Sequence, residues 1–156
     1  LELTGVLFGL LVAGRADMVL AQPDMVLDFK WGQSRPSDAL RSGTALQLGV
    51  YSALLSQNGT QTEVAYLILR NQALLAPSSS NVKGAQTLGR SPAQDTLSGA
   101  FATLAERQQQ LAEGVLLAPP SDGSDIKSSL SNGRLTLSPR CEYCDFGVVC
   151  GLQASL

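Results

Sequence analysis

The 156 residues contain no histidine. That excludes Ser–His–Asp and Cys–His nucleophile pairs and zinc sites of the protease type, since each needs an imidazole as base or ligand. Cysteine is scarce: the chain has 3, all between positions 141 and 150. So few thiols, so close together, do not form a secreted disulfide framework, and the expected setting is intracellular, in the cytoplasm. Charge is sparse too, at 15% of residues with a net charge of −2. No global basic surface follows, so any nucleic-acid contact must be local. Long apolar runs are also missing. The stretch Leu3 to Val12 is too short to span a bilayer and is interrupted by Gly5 and Gly9. A secretory signal starts with basic residues, whereas the nearest charge here is Glu2. No membrane partner is expected. There is no initiator methionine, and the expectation is a domain cut from a longer protein.

What is present suffices for one ordinary domain with a real core, since 44% of residues are hydrophobic. Residues 1–32 read as a β-meander: an apolar strand, a glycine-containing turn, a strand from Leu10 to Leu20, a proline turn and a strand ending at Trp31. The turn group Ala21-Gln22-Pro23-Asp24 folds the last two strands into a hairpin. Ser37 or Asp38 is placed to cap a helix from Asp38 to Gln57, with Leu46, Val50, Ala53 and Leu54 as its apolar stripe and Asn58-Gly59 ending it. Glu63 to Leu69 reads as a strand. Strands, helix, strand points to an α/β (α+β) domain with a central mixed β-sheet flanked by helices. One domain over 1–156 is expected: a core over 1–70, a variable exposed loop over 71–94, a helix over about 95–113, and a cysteine-containing segment over 139–151. On the second helix Leu97, Phe101, Leu104 and Leu111 are expected on one side, with Arg107 and Gln108–Gln110 toward solvent. The stretch from Pro119 to Gly133 reads as a polar loop; Asp122 and Asp125 lack the rest of a calcium loop. No internal repeat is visible.

Chemistry concentrates at Met25-Val26-Leu27-Asp28-Phe29-Lys30-Trp31-Gly32. Side chains alternate along a strand, so Asp28 and Lys30 share one face and Phe29 points to the other. The hairpin brings Asp17, from Gly14-Arg15-Ala16-Asp17, beside them. Two carboxylates can hold a hard divalent cation, and a nearby lysine can steer or deprotonate a water. The plainer reading is an exposed Asp–Lys pair of little consequence. Gln47 and Tyr51 are four apart on the helix and lie one above the other. Arg15, Lys30, Arg35 and Arg41 supply local positive charge. At the other end, Cys141, Cys144 and Cys150 form a C-x2-C-x5-C group. That spacing suits a metal or cluster, a redox dithiol, or ordinary buried cysteines.

Together, Gly14-x-x-Asp17, Asp28-x-Lys30 and Gln47-x-x-x-Tyr51 resemble the core of the PD-(D/E)XK nuclease superfamily in its RecB-like exonuclease branch. The terminal cysteines resemble the iron–sulfur staple of AddB-type helicase–nucleases and CRISPR-associated RecB-like exonucleases. The resemblance covers residues 1–70 and 139–151. It implies a restriction-endonuclease-like core in which Asp17, Asp28 and the Phe29 carbonyl hold Mg2+ or Mn2+. Lys30 orients the attacking water and offsets negative charge. Gln47 and Tyr51 support the site and contact the DNA backbone, along with Arg15, Arg35 and Arg41. Cys141, Cys144 and Cys150 supply three ligands of a [4Fe–4S] cluster in the full-length protein, the fourth lying before position 1. The family's helix before the first strand, which can carry a further ligand, is missing from this chain. Glu2, near the place of a first-strand acid, is expected to be solvated. Trp31, following the lysine, is expected to pack, with stacking on a base as the other reading.

The implied function is a metal-dependent DNA nuclease: an exonuclease module in recombination and repair, with DNA as substrate and helicase or other recombination subunits as partners. The competing reading is a catalytically silent module that only binds DNA or a partner.

Overall fold

Strands β1 (Glu2–Leu7) and β2 (Leu10–Arg15) form an antiparallel hairpin that turns through Phe8 and Gly9, both at positive φ. These and all further elements come from a computed structural model, which describes residues 1–21, 24–56, 62–89, 91–115 and 127–138. β2 does not run on to Leu20. Ala16 closes the first ladder by pairing with Leu1, its N–H donating to the Leu1 carbonyl at 2.9 Å and its carbonyl accepting from the Leu1 ammonium at 2.7 Å. The chain bends at Asp17, and β3 (Met18–Ala21) pairs instead with β4 (Asp24–Lys30). The expected meander is therefore two hairpins joined at an acidic residue.

β4 is the spine of a five-stranded sheet of order β3-β4-β5-β6-β7. It runs antiparallel to β3 and parallel to β5 (Glu63–Ile68); β6 (Ala73–Pro77) is antiparallel to β5, and β7 (Gln86–Leu88) is parallel to β6. The mixed sheet flanked by helices is the architecture expected. The stretch 71–94 is not the exposed loop expected, because it carries β6 and β7, with Leu75 and Ala76 wholly buried. Its short apolar run is a strand signal submerged in serine- and proline-rich composition.

A parallel pair needs a crossover, here two helices where one was expected. α1 (Ser34–Ser42) ends at Gly43, whose φ of 68° suits a residue without Cβ and whose N–H caps the Ala39 and Leu40 carbonyls. α2 (Leu46–Ser56) then restarts. α1 begins before Ser37, which is buried inside the helix rather than capping it, and Asn58-Gly59 lie outside the described residues. α2 lies between the sheet and α3 (Ala93–Ala112), so it is covered on more than one side. Leu48, Tyr51 and Leu54 are its core residues, while Leu46, Val50 and Ala53 are half-buried. Contact with α3 is close at Gly49, where a Cβ would lie 2.6 Å from the Ala93 carbonyl oxygen. On α3, Leu97 is buried and Phe101 half-buried, but Leu104 and Leu111 are exposed, contrary to a single apolar side. Arg107, Gln108 and Gln109 face solvent as expected. A last hairpin, β8 (Ser129–Ser131) and β9 (Arg134–Thr136), packs on α3; β8 falls within the stretch expected to be loop and β9 just after it.

The main core fills the space between sheet and helices, where Val26, Val64, Ile68 and Leu75 meet Leu40, Leu48 and Leu54. Each fully buried aliphatic side chain there contributes about 1.5–3 kcal/mol. A second cluster, Met25, Leu27, Ala65 and Ala76, forms separately. Among the described residues no helix is long and apolar enough to cross a membrane.

Candidate active site

The bend between β2 and β3 sets the site's first feature. The β3–β4 register pairs Met18 with Leu27, so one step further places Asp17 opposite Asp28. Ala16 is already paired to Leu1, leaving the Phe29 N–H without a ladder partner. The Asp17 carboxylate takes it, with Oδ2 accepting from Phe29 N–H at 2.7 Å. Asp17 is exposed, and this bond fixes a side chain that would otherwise rotate freely.

Asp28 stands in the opposite condition. It is only 2% exposed, on the β4 face that carries Val26 into the main core. Burial raises its carboxyl above the ordinary value; the Lys30 ammonium opposes that rise, and the nearby Asp17 charge adds to it. Lys30 Nζ meets Asp28 Oδ2 at 2.5 Å as an ion pair.

Lys30 is held from the helix side. Its Nζ donates to Gln47 Oε1 at 3.1 Å, Gln47 Nε2 donates to Tyr51 Oη at 2.9 Å, and Tyr51 donates to the Arg15 carbonyl at 2.6 Å. The chain of bonds orients itself. Tyr51 gives its only proton to Arg15, so it must accept from the Gln47 amide, which turns Oε1 toward lysine. Ammonium has three donors, leaving capacity for a water or a phosphate oxygen. Gly14 completes the fit: a Cβ there would lie 3.1 Å from Tyr51 Cε1, so the ring packs where a side chain would crowd it.

One participant was not singled out from sequence. Tyr66 pairs with Asp28 across the parallel β4–β5 ladder, and its ring lies 5.7 Å below Lys30 Nζ, within cation–π range. Burial, then the charges of Asp28 and Tyr51, push its phenol far above the ordinary value, so it stays neutral. Its only signal in the sequence is an aromatic residue on a strand.

Other expected residues fall less close together. Arg15 and Arg35 are exposed and form no ion pair among the described residues; Arg41 reaches Asp38 at 3.5 Å. Tyr51 is 4% exposed, with its hydroxyl engaged by Gln47 and the Arg15 carbonyl. Gln47 is the exposed member of that pair. Trp31 does not pack as expected: it is 73% exposed. Glu2 is exposed on β1, as expected. Cys141, Cys144 and Cys150 lie outside the described residues.

Asp17 and Asp28 suit a hard divalent cation. They are oxygen donors whose charges already repel, and Asp28 Oδ2 is buried with the Lys30 ammonium as its one charged partner among the described residues. Among the described residues no group of three Cys, Asp or Glu side chains converges, so a main-chain oxygen such as that of Phe29 would have to join them.

No curated protein and no solved structure matches the chain. A family model does, over residues 1–151, that of the PD-(D/E)XK nuclease superfamily. The mixed sheet and flanking helices are consistent with the restriction-endonuclease-like fold of that group. With the acidic pair and the lysine at the end of β4, and almost the whole length matched, the chain belongs to the PD-(D/E)XK nuclease superfamily.

Proposed function

We propose that this domain is a divalent-metal-dependent deoxyribonuclease that hydrolyses phosphodiester bonds at Asp17, Asp28 and Lys30. The observation that carries the reading is the continuous linkage from Asp28 through Lys30, Gln47 and Tyr51 to the Arg15 carbonyl, two residues before Asp17. It holds a cation and two carboxylates in one place at a stability cost that an ordinary exposed ion pair does not carry.

Asp17, Asp28 and the Phe29 carbonyl would hold Mg2+ or Mn2+. Bound there, the metal lowers the pKa of water and offsets charge on the phosphoryl oxygens. Lys30 directs its free N–H groups at the attacking water and a non-bridging oxygen. The water oxygen gives up a proton to solvent and bonds to phosphorus as the opposite P–O ester bond breaks; the departing oxygen keeps that electron pair and takes up a proton from solvent. Gln47 and Tyr51 position the ammonium. Arg15 and Arg35, exposed and without an ion pair among the described residues, would meet flanking phosphates.

The Gln47-x-x-x-Tyr51 helix supports placement in the RecB-like, AddB-type branch, with an exonuclease role in recombination and repair beside a helicase subunit, in the cytoplasm. The thiolates of Cys141, Cys144 and Cys150 are three of the four donors a [4Fe–4S] cluster takes; the fourth would come from elsewhere in a longer protein.

Calorimetric titration with Mn2+ tests the metal site. Saturable binding is expected for the wild-type chain and not for Asp28→Ala; no binding to either sinks the metal assignment. Cleavage of labelled DNA with Mn2+ is then expected to fall by about 10²–10³-fold in Lys30→Ala. DNA binding by the wild type without cleavage would leave the silent-module reading standing.

A further inference from the structure

The site's own strand ends in a feature that the chemistry above does not use. Trp31 is the only tryptophan in the chain, follows Lys30 directly, and is 73% exposed. An indole is among the largest apolar surfaces a chain possesses, and folding normally buries most of it. Here it forms no hydrogen bond, ion pair or ring contact with a described residue.

Its base is anchored nonetheless. The β4–β5 ladder holds through Lys30, paired with Ile68, and Leu69 N–H donates to the Lys30 carbonyl at 2.9 Å. The register thus sets Trp31 beside Leu69, which is itself 45% exposed. Just beyond, Gln33 Oε1 accepts from Asn71 Nδ2 at 2.7 Å, tying the loop after the indole to the β5–β6 turn. An exposed aromatic face on a pinned backbone is preorganised for a flat partner and loses little freedom on binding.

We propose that Trp31 is a stacking platform for an unpaired nucleobase next to the phosphate held at Lys30, so that the site favours single-stranded DNA or a frayed end. The proposal rests on the reading of this site as one that takes DNA. Neighbouring residues of a strand alternate sides, so the indole and the Lys30 ammonium flank the end of β4, and a DNA strand that crosses that end reaches both. Bases in an intact duplex are stacked on each other and cannot offer a free face, whereas a splayed base can. Arg35, in the first turn of α1 and without an ion pair among the described residues, supplies backbone attraction four residues after the indole, and that turn holds no acidic residue.

A single tryptophan makes the test direct. The full chain, with Ca2+ to prevent turnover, is titrated with a single-stranded thymidine octamer and with a blunt duplex, following indole fluorescence and the anisotropy of labelled DNA. Saturable quenching by the single strand is expected. Trp31→Ala should weaken single-strand binding by about tenfold, Trp31→Phe should restore most of it, and duplex affinity should change little. Unchanged fluorescence at saturating single strand overturns the proposal, as does equal weakening on both substrates, or no binding of either. Fluorescence that follows protein concentration rather than DNA assigns the indole to self-association and overturns it equally. Quenching in a protein that never cleaves with Mn2+ would leave the platform standing and remove the nuclease reading alone.

Discussion

The two sides of β4 are built from one heptapeptide and could hardly differ more. Met25, Leu27 and Phe29 point into a cluster made of apolar side chains, with Ala65 and Ala76 as neighbours. Val26, Asp28 and Lys30 alternate with them, and after Val26 that side carries charge into a buried setting under α2. The first side is where burial lowers the free energy of the fold. The second is where the fold accepts an unfavourable term, a carboxylate held above its ordinary pKa by desolvation. A strand's period of two is what allows stability and chemistry to share seven residues without mixing.

The largest expected effect lies on the charged side. Lys30→Ala should lower kcat by about 10²–10³-fold, the usual loss when one preorganised donor to a developing anion is removed. Circular dichroism and thermal melting should stay near wild type, because the Lys30 side chain is 36% exposed. Retained cleavage would break the assignment. The reverse pattern is expected across the strand: Leu27→Ala should cost about 2–3 kcal/mol of unfolding free energy, with kcat per folded molecule unchanged. Equal damage to activity would show that the two sides are not separable.

Asp28→Asn sharpens the contrast at an intermediate scale. Asparagine imitates the protonated carboxyl that the buried site prefers. A folded-state pKa raised above the unfolded one means the folded chain binds the proton more tightly, so wild-type stability falls as pH rises from the ordinary carboxylate value through the raised one. The variant should therefore be inactive yet melt higher than wild type at pH 7. That advantage should shrink to nothing below about pH 4, where the unfolded carboxyl is protonated too. Melting curves at several pH values decide it; a variant less stable at pH 7 would mean that the Lys30 contact outweighs desolvation.

Which parts of this were legible in the sequence follows from the range of the interactions. Asp28 and Lys30 share a side through strand periodicity, and Gln47 and Tyr51 stack through helix periodicity; both are local rules. The β3–β4 hairpin was equally local, set by its turn residues. The bend at Asp17 was not, because it depends on Ala16 pairing with Leu1 across the first hairpin. Tyr66 was invisible as a site residue for the same reason: its place beneath Lys30 comes from a parallel register that only the α1–α2 crossover establishes. Gly43 carried a local stop signal that the apolar pattern around it obscured, and β6 and β7 were hidden by their polar surroundings. Trp31 shows the limit of composition, since an indole next to buried strand residues reads as core until its exposure is known.

The smallest expected effect tests whether the charged side depends on packing behind it. Gly14 contributes no side chain, yet a Cβ there would sit 3.1 Å from the Tyr51 ring. Gly14→Ala should push that ring by a few tenths of an ångström, at a cost of about 1 kcal/mol, the low end for overpacking. The displacement lengthens the Tyr51–Arg15 hydrogen bond and loosens Gln47, and through it Lys30. Cleavage should then slow by several-fold in kcat with KM unchanged, since the ammonium is misplaced while the surface that meets DNA is intact. A parallel Tyr51→Phe variant removes the hydroxyl without moving the ring and should produce a kinetic loss of the same kind with less change in stability. If Gly14→Ala lowers stability but leaves kcat untouched, Tyr51 is a core residue and the linkage to Lys30 ends at Gln47. If both variants slow the reaction alike, position of the lysine is set from the interior of the hairpin outward, and the glycine before Asp17 belongs to the chemistry through the space it leaves.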